Sequence, residues 1–240
     1  MYQQTKGIVL HTVKYSETSV IAKIYTEVFG LLSFIVKGVR SSKSKNKASL
    51  MQPLTILDME ISYRENKGLQ FIKEFRRSYT YTSLPFDTLK SAIALFVLEV
   101  ASKSIREHET NDEMFIFLEE ALISLDKEAQ LNPDFHLLFM LQFARHLGFM
   151  PHDNYSLLNN RFEMLEGVFV QSESLTSTLL DKQESALLHR LMQSPLFLPV
   201  SPKITRSERK QALNNLIRYY QLHIENFNLR SPEVLEEILG

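Results

Sequence analysis

Residues 37–47 read Lys-Gly-Val-Arg-Ser-Ser-Lys-Ser-Lys-Asn-Lys, placing Lys37, Arg40, Lys43, Lys45 and Lys47 within eleven positions without one acid. Cations at that density, spaced by Ser and Asn, suit phosphate oxygens, which a chain can neutralise without reading bases. About five such contacts would make log affinity fall with log salt at a slope of roughly −3.5 to −4.5. In an arbitrary protein the same composition also fits a solvated loop. Lys14, Lys23, Lys73, Arg76 and Arg77 add positive charge to the same third of the chain. Tyr25, Phe29 and Phe34 are candidates for stacking on bases, although aromatics in apolar runs more often fill a core. The expected nucleic-acid contacts are therefore Lys37, Arg40, Lys43, Lys45 and Lys47, joined by Lys14, Lys23, Arg76 and Arg77.

A second basic group, Arg206, Arg209, Lys210 and Arg218, opens a long apolar-striped segment at 204–228. It reads either as a solvated helix face or as a groove for an acidic, apolar-tipped peptide. Other chemistry is hard to build. Zero cysteines exclude disulfides, thiolate nucleophiles, iron–sulfur clusters and cysteine zinc sites. None of the seven histidines (His11, His108, His136, His146, His152, His189, His223) forms HExxH or another ligand pair. There is no GxxxxGK[ST] phosphate loop, no GxSxG and no GxGxxG. The acids of residues 106–113, REHETNDE, read as one helix end and the capped start of the next. The sequence predicts a non-enzyme with no cofactor and no metal.

Two kinds of element must position these residues. In residues 1–80, glycines punctuate short runs of Val, Ile, Thr, Tyr and Phe, predicting strands near 7–13, 19–26, 31–37, 53–62 and 69–78. Alternation puts Leu57, Met59 and Ile61 on one face, then Leu69, Phe71 and Phe75 on another. Five short strands with a longer break after the third match a small Greek-key barrel of the oligonucleotide-binding (OB) kind, and an SH3-like barrel fits almost as well. From about residue 85 the period becomes helical, with Leu89, Ile93, Phe96, Val97 and Val100 at steps of three and four. Helices follow around Met114–Leu125, from an Asn132-Pro133 start to Gly148, at 182–193, at 204–228 and from Ser231. Residues 149–181 have weak periodicity and predict a hairpin or an irregular excursion.

Length and composition bound the rest. The 240 residues are 44% hydrophobic and 23% charged, which suits two folded domains, taken as 1–80 and 81–240. No apolar run spans a bilayer and the N-terminus lacks a signal peptide's apolar segment, so a soluble cytoplasmic protein is expected. The net charge of −1 conceals an asymmetry: residues 1–80 carry 13 Lys and Arg against 6 Asp and Glu, a net +7, and the remainder 14 against 22, a net −8. One end suits a polyanion and the other does not.

The run GIVLHTVKYSETSVIAKIYTEVFGLLSFIVKGVR, residues 7–40, resembles the opening of the RecO family of bacterial recombination-mediator proteins. It has a Gly-x-Val-Leu strand, a turn ending in an acid and Ser/Thr (Tyr15 to Ser19), a Thr-x-x-x-Gly turn (Thr26 to Gly30) and Lys-Gly-x-Arg (Lys37 to Arg40). Residues 218–239, RYYQLHIENFNLRSPEVLEEIL, resemble the family's closing helix and its final Leu-x-Ser turn. The resemblance implies an α+β protein, with an N-terminal OB-like barrel and an α-helical C-terminal domain. It implies binding of single- and double-stranded DNA, annealing of complementary strands and assembly with RecR. It further implies loading of RecA onto strands coated by single-stranded-DNA-binding protein (SSB), whose acidic tail docks on the helical domain, and a nucleoid-associated location. Many members carry a four-cysteine zinc module; this chain has no cysteine, and FEMLEGVFV (162–170) is read as its metal-free remnant.

Overall fold

The computed structural model describes residues 2–39, 45–65, 67–106, 110–171, 177–197 and 203–239, with only the backbone of Lys45 and Asn46. Arg40 and Lys43 lie outside the described residues, as do residues 172–176 and 198–202. The chain divides into two compact units. One comprises Met1–Phe86 with Ile105–Lys127, and the other Asp87–Ser104 with Glu128–Gly240. A segment drawn from the helical part of the sequence thus joins the strand-rich unit.

The first unit is built on strands β1 (Tyr2–Lys14), β2 (Val20–Thr26), β3 (Gly30–Val36), β4 (Ile56–Ser62) and β5 (Gln70–Arg77), with helix α1 (Lys45–Leu50) between β3 and β4. They close into a barrel in the order β1-β2-β3-β5-β4, with β3 and β5 parallel and the other pairs antiparallel. That order, with a helix after the third strand, resolves the sequence's choice between OB-like and SH3-like barrels in favour of the OB-like one. β1 starts five residues earlier than its apolar pattern, because Tyr2–Gly7 pair with Leu57–Ser62 of β4.

Val9, Ala22, Ile24, Leu32, Phe34, Leu57, Met59 and Ile61 fill the interior. Burying each larger side chain contributes about 1.5–3 kcal/mol before cavity effects. Gly7 faces inward where a Cβ would lie 2.5 Å from Met59 Cε and 2.6 Å from Ile24 Cγ2, so only glycine fits. Thr26 closes the β2–β3 turn: its hydroxyl donates to the Gly30 carbonyl at 2.8 Å and accepts from Phe29 N–H at 3.1 Å. Gly30 has φ +66°, which L side chains rarely adopt.

β5 departs from the expected alternation. Ile61 pairs with Ile72 and Glu60 with Glu74, leaving Lys73 as the extra residue of a bulge. Ile72 and Phe75 therefore pack on the core, and Phe71, expected on the face of Phe75, turns outward with 46% of its surface exposed. Helix α3 (Asp112–Lys127), capped by Asn111 Oδ1 accepting from Met114 N–H at 2.9 Å, belongs to this unit. It covers one end of the outer barrel face, where Tyr25 meets the Phe115 ring at 5.9 Å and donates to the Asn111 carbonyl.

The second unit surrounds helix α4 (Phe135–His146), nine of whose twelve residues are buried. Against it pack α2 (Thr88–Ser104), α5 (Lys182–Met192) and α6 (Arg206–His223), and α7 (Ser231–Leu239) packs in turn on α2 and α6. Asp87 caps α2, and capping boxes Asp181/Glu184 and Thr205/Glu208 start α5 and α6. Strands β6 (Asn159–Glu163) and β7 (Val168–Gln171) form the hairpin that was one of two expectations for 149–181. Its turn uses Gly167 at φ +68°, where a Cβ would meet the Tyr219 hydroxyl at 2.8 Å. Phe162 and Phe169 anchor it, and Phe162 N–H donates to Ser185 Oγ of α5. Among the described residues no helix is long and apolar enough to cross a membrane.

Candidate nucleic-acid interface

The outer barrel face splits into two regions that differ in how their charges are paired. Along β4, β5 and the start of β1, cations meet acids: Arg76 pairs with Asp58 at 3.1 Å, Lys73 with Glu60 at 3.0 Å, and Lys6 with Glu119 at 2.9 Å. Hydrogen bonding to Glu119 raises the Lys6 pKa, and bonding to Glu60 raises that of Lys73. Lys73 also lies 4.4 Å over the Tyr2 ring. Such exposed pairs add little stability, but they cancel local field.

Over β1, β2 and β3 the cross-strand register builds a different surface. One row runs His11–Lys23–Ser33, and the next Val13–Ile21–Ile35–Phe71. Lys14 ends β1 opposite Val20, and Val20 stands opposite Val36, so Lys14 and Lys37 reach the same barrel end. The β4–β5 loop flanks Phe71. Buried Gln70 pins it, accepting from Arg64 N–H at 2.9 Å and donating to the Arg64 and Lys67 carbonyls at 2.8 Å. Lys14, Lys37, Arg64 and Lys67 are exposed and form no ion pair with another described residue. Glu17 and Glu65 are the acids of the two adjoining loops.

The expected contact residues are thus only partly gathered. Lys14, Lys23 and Lys37 share this region. Lys47 is exposed on α1, Arg77 is exposed at the end of β5, and Arg76 is held by Asp58 on the mixed-charge face. Lys45 begins α1, so the basic stretch ends as helix. Tyr25 and Phe34 are fully buried and Phe29 stacks on Tyr63 at 4.6 Å, so none of the three offers a free ring. Sequence reading missed Phe71, Arg64 and Lys67: the two cations are spread through a mixed segment, and the bulge that turns Phe71 out has no Gly or Pro to mark it.

In the helical unit a cleft of about 480 Å³ lies among His136 of α4, Arg206, Arg209, Lys210 and Leu213 of α6, and Leu235 and Leu239 of α7, with Glu233, Glu236 and Glu237 also lining it. Arg209 is committed to a buried pair with Asp134 at 2.6 Å and Lys210 to Glu236 at 2.7 Å. Arg218 points elsewhere, donating to the Ser177 carbonyl. Neither ring nitrogen of buried His136 has a partner at hydrogen-bond geometry. Burial, reinforced by the Arg209 guanidinium against a weaker pull from the Pro133 carbonyl, lowers its pKa to about 3. Among the described residues no cluster of three or more His, Asp or Glu could hold a metal ion.

A closed OB-like barrel joined to an all-helical core with one hairpin defines the class: a two-part protein of the oligonucleotide-binding architecture. Comparison with known proteins narrows this. Residues 1–81 match the model for the recombination protein O N-terminal region, and residues 85–233 that for its C-terminal region. The chain is 37% identical over 241 residues to a DNA repair protein RecO of Bacteroides fragilis, covering 99% of both chains. It is 36% identical to the proteins of that name from Phocaeicola vulgatus and Flavobacterium psychrophilum, over the full length of each. The chain belongs to the RecO family.

Proposed function

We propose that this protein is a DNA-binding recombination mediator, acting in bacterial DNA repair without breaking bonds. It binds single strands, anneals complements, and with RecR helps load RecA onto SSB-coated DNA; duplex DNA is a second ligand. The observation that carries the reading is the uneven pairing of charge on the barrel. Lys73 and Arg76 on the β4–β5 face have acid partners, whereas Lys14 and Lys37 at one end of β1–β3, and Arg64 and Lys67 in the loop beside Phe71, have no ion pair among the described residues. Phosphates on a strand supply the missing counter-charge, and neutralising two strands lowers their mutual repulsion so that bases can pair. Lys23 lies in the same region, and Lys47 on α1 and Arg77 at the end of β5 are further candidate contacts, as are Arg40, Lys43 and Lys45 of the basic sequence stretch; Arg76, held by Asp58, contributes least. The setting is the cytoplasm, on the nucleoid.

The test is binding of a fluorescent oligo-dT across a salt series, with annealing of complementary oligonucleotides followed in parallel. A log–log slope near −3.5, about five contacts at roughly 0.7 each, is the expected result. Salt-independent binding, or none at low salt, would overturn the reading.

The cleft between α6 and α7 supports a second, adaptor reading, in which protein contacts come first and DNA binding is secondary. Its Leu213, Leu235 and Leu239 suit the apolar end of the acidic, Phe-terminated SSB tail, with Arg206 as its main cation, since Arg209 and Lys210 are paired with Asp134 and Glu236 and three glutamates share the lining; Arg218 lies away from it. Titration of such a peptide against the full chain and an Arg206→Glu variant should give saturable binding that the variant weakens. Equal binding by both would remove the cleft from the proposal.

A further inference from the structure

We infer that Phe71 is a base-stacking platform for single-stranded DNA, and that the strand crosses the barrel along β1, β2, β3 and β5 to reach it; this rests on the DNA-binding reading above. The bulge at Lys73 carries the inference. Without it, strict alternation would put Phe71 on the same side as Phe75, which packs on the core. With it, Phe71 faces solvent at 46% exposure, next to Ile35 of β3.

Its surroundings are those of a single-strand site and not of an isolated apolar side chain. Val13, Ile21 and Ile35 continue the row from Phe71 across three strands, giving an apolar floor that base faces can lie on. Lys23 stands in the adjacent row between His11 and Ser33. Lys14 and Lys37 rise at the barrel end, and the Gln70-pinned loop holds Arg64 and Lys67 beside Phe71. An apolar strip bordered by cations matches a ligand with flat apolar faces and one negative charge per residue. An acidic loop or a second copy of this chain would lack the stacked faces. The other end of the same outer face is closed by α3 over Tyr25, so the strip ends where a strand must turn away.

The chain contains no tryptophan, so Phe71→Trp introduces a single indole at the proposed contact, whose emission is separated from that of the nine tyrosines by excitation at the red edge of the absorption band. Titrating the full-length variant with oligo-dT should quench its emission, saturating at the concentration where an independent anisotropy assay shows binding. Phe71→Ala should bind oligo-dT about tenfold more weakly with an unchanged salt slope, because stacking is lost and no phosphate contact is. Matching thermal melts of both variants and the parent would show that the fold is intact, as expected for a half-exposed ring. Oligo-dT binding that leaves the emission of the Phe71→Trp variant unchanged, or Phe71→Ala binding at parental affinity, would overturn the platform while leaving the DNA-binding reading standing. Absence of oligo-dT binding by the parent protein would overturn both. Quenching by a second copy of the protein but not by oligo-dT would reassign the face to self-association.

Discussion

Asp126 sits in the last turn of α3, where a carboxylate opposes the helix dipole and would ordinarily destabilise. It is retained because donors converge on it. The backbone N–H groups of Thr82, Ser83 and Leu84 donate at 2.7–3.0 Å, and Tyr79 adds its hydroxyl at 3.0 Å. Burial alone would raise its pKa; those donors outweigh burial and hold it well below the usual carboxylate range. A depressed folded pKa means the stabilisation is fully present above the unfolded value near 4 and is lost as pH falls below it. Asp126→Asn should therefore cost about 2–3 kcal/mol in urea unfolding at pH 7 and flatten the parent's acid-unfolding limb below pH 4. His136 gives a second sign. Its pKa is lowered to about 3, so the neutral ring is favoured in the fold and stability drops as pH falls from about 6.5 toward 3. His136→Leu should flatten the parent's loss of stability between pH 6.5 and 5; an equally steep loss in the variant would place the responsible group elsewhere.

At the scale of elements, the motif residues of the N-terminal run each answer a local geometric demand. Gly7 admits no Cβ, so Gly7→Ala should overpack the barrel against Ile24 and Met59 and cost about 1–3 kcal/mol by denaturant unfolding. Gly30 and Gly38 have positive φ, and Thr26 closes the turn between β2 and β3. This is why the barrel was legible: its strands alternate, and its turns need residue types that stand out in a sequence. The helices were legible through the capped start expected within 106–113, where Asn111 caps α3, and through Gly148, whose φ of +84° follows the end of α4. The expected start at Asn132-Pro133 falls short, because Asn132 accepts from Asp134 N–H in a turn ahead of α4, which begins at Phe135. The face of Phe71 was not legible, because a bulge depends on pairing with β4 and leaves no local mark. Nor was the membership of α3, since an apolar stripe says what must be covered but not by which partner. Long-range caps were equally silent. Glu99 of α2 accepts from Arg230 N–H at 2.9 Å and from Ser231 N–H at 2.8 Å, with the Ser231 hydroxyl also donating to it, and so docks the start of α7. Glu99→Ala should speed hydrogen exchange across residues 231–239 while leaving the barrel amides unchanged; uniform acceleration would point to global destabilisation instead.

For the molecule as a whole, net charge explains less than where charge is left over. Residues 1–80 carry +7, but much of the positive charge on the β4–β5 side is answered within the fold by Glu119, Glu60 and Asp58. Among the described residues, Lys14, Lys37, Arg64 and Lys67 lie around β1–β3 and the start of β5, where the apolar strip and the Phe71 ring also lie. Two triple variants of equal charge change separate placement from sum. Lys14→Gln with Lys37→Gln and Lys67→Gln removes cations with no ion pair among the described residues; Lys6→Gln with Lys73→Gln and Arg76→Gln removes paired ones. The first set should lower single-strand affinity by at least tenfold at about 100 mM salt and flatten the log–log slope by about 2, three contacts at roughly 0.7 each. The second should leave the slope nearly unchanged, since those cations already have counter-charges and release few counterions on binding. It should instead show as a small loss of thermal stability, because three weak surface pairs are broken. Equal losses of affinity from both sets would mean that total charge draws the strand, and the assignment of one barrel face would fail.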